Sequence, residues 1–473
     1  MGAAVPVRDP RTGLVEFELT ASDREEVAAA AERLRKAQPD WADLGVNGRI
    51  EVLTRLADLL DDRRDELVEL LTRDTGRTAL SHLEVDSVRS GIGRAGEFAR
   101  ALLDAADDGP RPERDILVDH DLVPYRLVGA IGPWNFPLQL SMIDAVPALL
   151  AGSACLLKPS EVTPRFVSLL RELIAEVPVL SSVLEVVLGG ADTGQSLVDQ
   201  VDVVCFTGSV ATGRKVAVAA AEHGIPAFLE LGGKDPVIIA RDADLDVASS
   251  AVVWGSTANT GHSCMSLERV YVDAAVAEEF IDRLAGKAEA VRLAYPTPRD
   301  GDLGPIIEAG QAEVIRDHLE DAYQRGARTA TGGRIEVLDG GNYLRPTVLT
   351  DVTHDMRVMQ EETFGPVMPV MVVEGEDEAV RLANDTTMGL SGAVFAGDLA
   401  RARALAARLE VGAVSINDVC LTGMYPVVEK NAFKDSGLGP SRMGPSSVAR
   451  FLRTRAYLMR PEATRNPWFY DEA

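Results

Sequence analysis

The stretch VDVVCFTGSVATGRKVAVAAA, residues 201–221, decides how the rest of the chain is read. An apolar strand, VDVVCF, runs into Gly208 and Ser209 and then into a good helix former. Strand, glycine turn and helix make the repeating half of a βαβ unit. The same rhythm extends across residues 146–232, where SACLLKPS, RFVSLLRELIAEV, LEVVLG, GQSLVDQ and PAFLELGG alternate in character. That alternation predicts a parallel sheet in an α/β protein. The turn itself has two readings. Its free N–H groups and the positive end of the helix dipole suit a pyrophosphate. Ser209 is equally an ordinary helix N-cap.

Outward from this segment, residues 22–105 read as helices, with apolar residues recurring at three and four and charges between them. Asp23 and Asp74 stand near expected helix ends, and Gly76 is placed to cap one. Residues 115–137 alternate at Ile116, Val118, Val123, Tyr125 and Leu127, which predicts strands of a hairpin arm. A second α/β region runs from about 235 to 430. The end of the chain mixes arginine with aromatic residues and reads as an arm that docks on something. A formal GxGxxG at Gly91, Gly93 and Gly96 follows a helical segment instead of a strand, so it reads as small residues in helix packing.

At 473 residues the chain can hold two or three domains and a large core. A formal charge of −25 argues against nucleic acid and anionic membrane surfaces as partners. Lysine occurs seven times, so most of the positive charge is arginine. Cys155, Cys205, Cys264 and Cys420 form no CxxC pair, and a disulfide framework is not expected. The N-terminal stretch carries no apolar signal region, and the longest apolar run is too short to span a bilayer, so a reducing cytoplasm is the default expectation.

Three positions stand out as carriers of chemistry. Cys264 follows the polar approach NTGHS, unlike Cys155 and Cys205, which lie in apolar strands. A nucleophilic thiol needs its thiolate, which a free cysteine supplies only sparingly at neutral pH. His262 and Cys264 alone cannot fill a tetrahedral metal site, so no metal is expected. Glu230 ends the apolar run FLE before two glycines, where partial desolvation would suit a general base. Asn135, in the rigid GPWNFP turn, has an amide that could serve an oxyanion or simply an Asx turn.

Taken together these stretches resemble the aldehyde dehydrogenase superfamily. PWNFP, LLKPSEVTP, FTGS, ELGGK, the Asn-x-Gly-x-x-Cys of NTGHSC, EETFGP and GAVSIN occur in the family's order. The resemblance implies a Rossmann-like cofactor domain over 1–113 and 129–232 and an α/β catalytic domain over 233–432. It also implies a small β bridging element over 114–128 and 450–473 that joins subunits into a homodimer or homotetramer. It assigns Cys264 as the nucleophile, Asn135 as an oxyanion donor and Glu230 as the base that activates the hydrolytic water. It assigns Trp134, Lys158, Ser160, Glu161, Gly208, Ser209, Leu231, Glu362 and Phe364 to the cofactor. A carboxylate at Glu161 on a ribose 2′-hydroxyl disfavours a 2′-phosphate, so NAD is preferred, with NADP open through Lys158.

By position, Gln139, Ile143, Ser263, Met265, Leu421, Met424 and Tyr425 are candidates to line the aldehyde tunnel. They are mostly apolar, which favours a medium aliphatic or aromatic aldehyde unless Lys430 points inward. An NADP-preferring semialdehyde dehydrogenase, a coenzyme A-acylating enzyme and a non-catalytic relative are the alternatives. Three departures accompany the resemblance. His262 stands where a glutamine is usual, Asn431-Ala432 replaces a Gly-Gly pair, and Asp144 and Ser441 occupy the places of a lysine and glutamate thought to relay protons.

Overall fold

All five residues of the strand Val203–Thr207 are buried, as an apolar run covered on both faces requires. In this computed structural model, which describes residues 3–105, 109–114 and 116–461, the strand lies inside a six-stranded sheet. Residues 462–473 of the expected tail arm fall outside the described range. The sheet order is Gly437–Leu438, Ala227–Glu230, Val203–Thr207, Leu127–Ile131, Ala154–Lys158, Leu184–Val186. The last five run parallel, and Gly437–Leu438 adds an antiparallel edge. The helix Val210–Glu222 follows Val203–Thr207, with Ser209 Oγ accepting the Thr212 N–H at 3.3 Å.

The predicted helical region forms Arg24–Asp43, Gly45–Asp62, Arg64–Thr75 and Ala79–Ala105. Asp23 opens the first with a reciprocal capping box to Glu26. Gly76, at φ 70°, closes the third. Asp74 does not cap: it is buried within that helix and accepts the Arg165 N–H at 2.7 Å. The GxGxxG lies inside Ala79–Ala105, where a Cβ on Gly96 would come within 3.2 Å of Ile50. Gly91 and Gly93 meet nothing within 4 Å, so only Gly96 serves helix packing.

A second sheet has seven strands in the order Arg328–Thr331, Thr347–Thr350, Val367–Val373, Leu267–Asp273, Asp235–Ile239, Ser391–Phe395, Ala413–Ile416. Only the pair at the Arg328–Thr331 edge is antiparallel. The hairpin expected over 115–137 does not form. Leu127–Ile131 is a central strand of the first sheet, because its five buried residues need cover on both faces. Ile116–Pro124 pairs instead with Arg111–Glu113 and with Leu452–Met459, in an antiparallel three-stranded sheet. The alternation that marked strands was real, but local pattern does not identify the partner. No helix among the described residues is long and apolar enough to cross a membrane.

The helix Pro137–Ala151 is buried along most of its length and carries one charge, Asp144. Its carboxylate meets two guanidinium groups, Arg442 Nη2 at 2.8 Å and Arg450 Nη2. Burial pushes the Asp144 carboxyl up, and the two arginines more than offset this, holding it below its ordinary value. Asp144→Ala leaves two buried cations without their anion and is expected to lower stability by about 3–5 kcal/mol. A lower midpoint of thermal unfolding at pH 7 is the readout. Because the folded carboxyl titrates below the unfolded value of about 3.9, the contribution is complete above that pH and fades as pH falls through the folded value.

Candidate active site

Ile131, Lys158, Thr207 and Glu230 are the last residues of four neighbouring parallel strands. A cavity of about 630 Å³ opens along these ends, where open α/β sheets hold ligands. Its far wall comes from the seven-stranded side, through Cys264, Glu362 and Phe364. The other residues assigned from the sequence to catalysis or cofactor, Trp134, Asn135, Ser160, Glu161, Gly208, Ser209 and Leu231, line the same cavity. Segments 230 positions apart in sequence (from Trp134 to Phe364) therefore face one space.

Cys264 follows the short 3₁₀ turn Ala258–Gly261, in which Asn259 and Thr260 hold left-handed φ of 55° and 58°. Non-glycine residues adopt that region only where surroundings enforce it. Here Asn259 Nδ2 donates to the carbonyls of Asn135 at 2.9 Å and His262 at 3.0 Å. One N–H of the Asn135 amide donates to the same His262 carbonyl at 2.9 Å. Arg77 binds the Asn259 side chain and donates to the Asn135 carbonyl at 2.9 Å. Its buried partner, Glu84, lies 2.8 Å away. Glu84 also accepts the N–H groups of Leu138 and Gln139 at 3.0 and 3.1 Å. It thereby caps the helix Pro137–Ala151, whose own N-cap, Phe136, offers no oxygen. Arg77, Glu84 and Asn259 were not singled out from sequence. Arg77 and Glu84 sit at the start of a region whose periodicity reads as ordinary solvated helix.

His262 is fully buried, and its ring lies 5.2 Å edge-on to Trp134 and 5.9 Å from Phe364. Neither ring nitrogen has a hydrogen-bond partner among the described residues. Burial, reinforced by the Arg77 charge, pushes its pKa down to about 3, so the ring is neutral. Its ring works as an aromatic filler, and its backbone shapes the loop, the N–H donating to the Asn259 carbonyl at 2.9 Å and the carbonyl accepting from Asn135 and Asn259. Among the described residues no group of three or more His, Cys, Asp or Glu could hold a metal ion. Burial pushes the Cys264 thiol up to about 12; Lys430 opposes this, while Glu230, Asp235 and Glu362 add to it. The thiol is protonated at rest.

Glu230 ends its strand with its carboxylate 3.1 Å from Lys430 Nζ. The chain then crosses to the second sheet through Gly232 and Gly233. Glu362 accepts the Gly233 N–H at 3.0 Å, and burial together with the charge of Glu268 raises its pKa. Phe364 sits at φ 49°. Its turn is held by Glu268, which accepts the Thr363 and Phe364 N–H groups, each at 2.7 Å. Glu268 is itself paired with buried Lys234 at 2.6 Å. Lys234 lies within the quoted ELGGK, yet nothing local announced its partner.

At the other end, Lys158 Nζ lies 3.3 Å from Glu161 Oε2. Added Cβ atoms on Gly190 and Gly194 would meet Glu161 and Lys158 at 3.8 and 3.9 Å, ordinary van der Waals contact, so these glycines border the two side chains without crowding them. A lysine, a carboxylate and the free N-terminus of Val210–Glu222 along one cleft fit a dinucleotide: dipole end for pyrophosphate, Glu161 for a ribose hydroxyl. None of the seven tunnel candidates lines this cavity. Met265 touches the short helix Leu421–Met424, with Thr422 Oγ1 3.4 Å from its sulfur. Met424 and Tyr425 are exposed.

The family model for the aldehyde dehydrogenase family matches residues 2–457. A betaine aldehyde dehydrogenase of Rhizobium etli is 37% identical over 444 residues, covering 93% of this chain and 90% of its own. A protein of Mycolicibacterium smegmatis assigned as an NADP-dependent succinate-semialdehyde dehydrogenase is 35% identical, covering 95% of this chain and 87% of its own. Among solved structures, one assigned as an aldehyde dehydrogenase of Anabaena variabilis superposes with a TM-score of 0.96 at 49% identity, covering 99% of this chain and all of its own. A betaine aldehyde dehydrogenase of Staphylococcus aureus in complex with NAD+ gives 0.91 at 29% identity, covering 99% of this chain and 94% of its own. With its parallel sheets and Rossmann-like cleft, the chain belongs to the aldehyde dehydrogenase family and is an oxidoreductase acting on aldehydes with NAD or NADP.

Proposed function

We propose that the chain oxidises a medium aliphatic or aromatic aldehyde to its carboxylic acid through a thioester on Cys264. The observation that carries this reading is the meeting of a thiol, a side-chain amide and a carboxylate on one cavity with the dinucleotide residues. Cys264 gives its proton to a base on the cavity, and its sulfur forms the bond to the aldehyde carbon. The amide N–H of Asn135 not used on His262, together with the Cys264 backbone N–H, receives the oxyanion, where donors fixed in advance act most strongly. Bound along Trp134, Lys158, Ser160, Gly208, Ser209, Leu231, Glu362 and Phe364, the nicotinamide cofactor supplies the hydride acceptor. Glu230 then takes the proton of the water that hydrolyses the thioester.

The substrate class rests on charge and apolarity. Ile143, Met265, Leu421, Met424 and Tyr425 offer carbon, and Lys430, the cation that a substrate carboxylate could seek, is engaged by Glu230. A cytoplasmic location, and subunit association through the sheet of Ile116–Pro124 and Leu452–Met459, belong to the same reading. So does the division into a cofactor domain on the six-stranded sheet and a catalytic domain on the seven-stranded sheet. NADH production is measured over an aldehyde panel, with and without coenzyme A. Hexanal or benzaldehyde is expected to exceed succinate semialdehyde in kcat/KM. Coenzyme A is expected to change nothing, and Cys264→Ala to abolish turnover. Faster turnover of succinate semialdehyde would remove the substrate reading, and a requirement for coenzyme A the hydrolytic one.

The preference for NAD follows from Glu161, whose carboxylate would stand against a 2′-phosphate even with Lys158 beside it. The NADP-assigned relative from Mycolicibacterium smegmatis keeps the opposite preference in view. Glu161→Gln is expected to shift the kcat/KM ratio toward NADP by about tenfold. An unchanged ratio would show that Glu161 does not set the choice.

A further inference from the structure

Lys430 is buried, with its side chain 4% exposed, and its Nζ lies 3.1 Å from Glu230 Oε2. Its backbone N–H donates to Ser441 Oγ at 3.1 Å, and the same oxygen accepts the Met443 N–H at 3.1 Å. Ser441, standing where the resemblance leads one to expect a glutamate, thus fixes the loop that delivers Lys430. Asp144, where a lysine is expected, is occupied by Arg442 and Arg450. Arg442 also donates to Thr207 Oγ1 at 3.0 Å, at the end of the strand beside Glu230. The charges are therefore inverted relative to a lysine-glutamate relay: the anion sits on the helix and the cation that reaches Glu230 arrives from the C-terminal loop.

We propose that Lys430 is a positioning residue for deacylation, clamping the Glu230 carboxyl group on the cavity it shares with Cys264 and stabilising the departing thiolate. The inference rests on the hydrolytic reading of Glu230 given above. In the step concerned, water attacks the thioester carbonyl as Glu230 takes its proton. The carbon–oxygen bond forms, the carbon–sulfur bond breaks, and its electron pair leaves on Cys264 Sγ. A carboxylate and a thiolate on one cavity repel each other, and a cation paired with the carboxylate reduces that repulsion. The groups whose charges act here come from every packed element: Lys430 and Arg442 from the C-terminal loop, Asp235 from the next strand, Glu362 from the turn before Phe364, and Asp144 behind Arg442. Arg442 is engaged by Asp144, and Asp235 and Glu362 are anionic when ionised. Lys430 is thus the cation that contacts the base directly.

The test compares wild type with Lys430→Met, Lys430→Gln and Lys430→Arg, using the kcat–pH profile, pre-steady-state NADH formation and the rate of Cys264 alkylation by iodoacetamide against pH. Lys430→Met and Lys430→Gln are expected to lower kcat by about ten- to hundredfold. Their acid limb should move up by about one pH unit. A burst of NADH should precede the slowed steady state, and alkylation at a fixed neutral pH should slow. Lys430→Arg should restore most of kcat. A kcat–pH profile in Lys430→Gln that overlays the wild type, with thermal unfolding unchanged, overturns the proposal. Glu230→Gln separates the two levels of argument. If it keeps wild-type turnover, the hydrolytic reading fails. If it abolishes turnover while the Lys430 variants keep the wild-type acid limb, only the role of Lys430 fails.

Discussion

The chain crossing between the two sheets runs against the walls of the shared cleft, and it carries no side chain at two successive positions, Gly232 and Gly233. A Cβ on Gly232 would stand 2.5 Å from a Glu362 oxygen, and one on Gly233 would stand 2.3 Å from the Cys264 carbonyl. At Gly233 the obstacle is backbone, so a side chain there would displace the Cys264 loop, whereas at Gly232 it would displace the Glu362 carboxylate. The crossing begins at Glu230 and ends at Asp235. The Cys264 loop is consequently seated against the backbone at Gly233, and the Glu362 carboxylate closes over the same crossing by accepting the Gly233 N–H.

Around that crossing, irregular loops are held by buried charges. Arg77 and Glu84 tie the turn at Asn135 to the left-handed Asn259. Lys234 and Glu268 hold the turn that carries Phe364. Asp144 with Arg442 and Arg450 anchors the C-terminal loop to the buried helix. Burying such groups costs stability unless every partner is satisfied. In the first two pairs the carboxylate also accepts two backbone N–H groups, which offsets part of that cost and converts charge into loop geometry. Each of these two pairs fixes a turn bearing a residue of the cavity.

Most of the architecture was legible because it rests on local regularities. Alternating apolar runs and amphipathic segments marked both parallel sheets and the four leading helices, and Gly76 was recognisable as a cap. The three residues assigned to chemistry and the nine assigned to the cofactor were legible through their motifs, and they converge on one cavity. What was not legible depends on partners distant in sequence. The alternation of Ile116–Pro124 marked a strand without its partner, since period two carries no address, and the pairing with Leu452–Met459 was foreseen only through the family resemblance. His262 looked like a polar neighbour of the thiol, and only burial against Trp134 and Phe364 makes it a neutral filler.

By itself, then, the sequence determined the fold class, the order of the strands along the chain and the residue types available for aldehyde chemistry, since these follow from periodicity and short motifs. The tertiary structure decided which charges meet. That Asp144 draws two arginines, and that Lys430 reaches Glu230 from 200 positions away, follows from three-dimensional proximity alone. Electrostatic pairing acts over a few ångströms of space and is indifferent to separation along the chain, so only the folded chain could bring it into view.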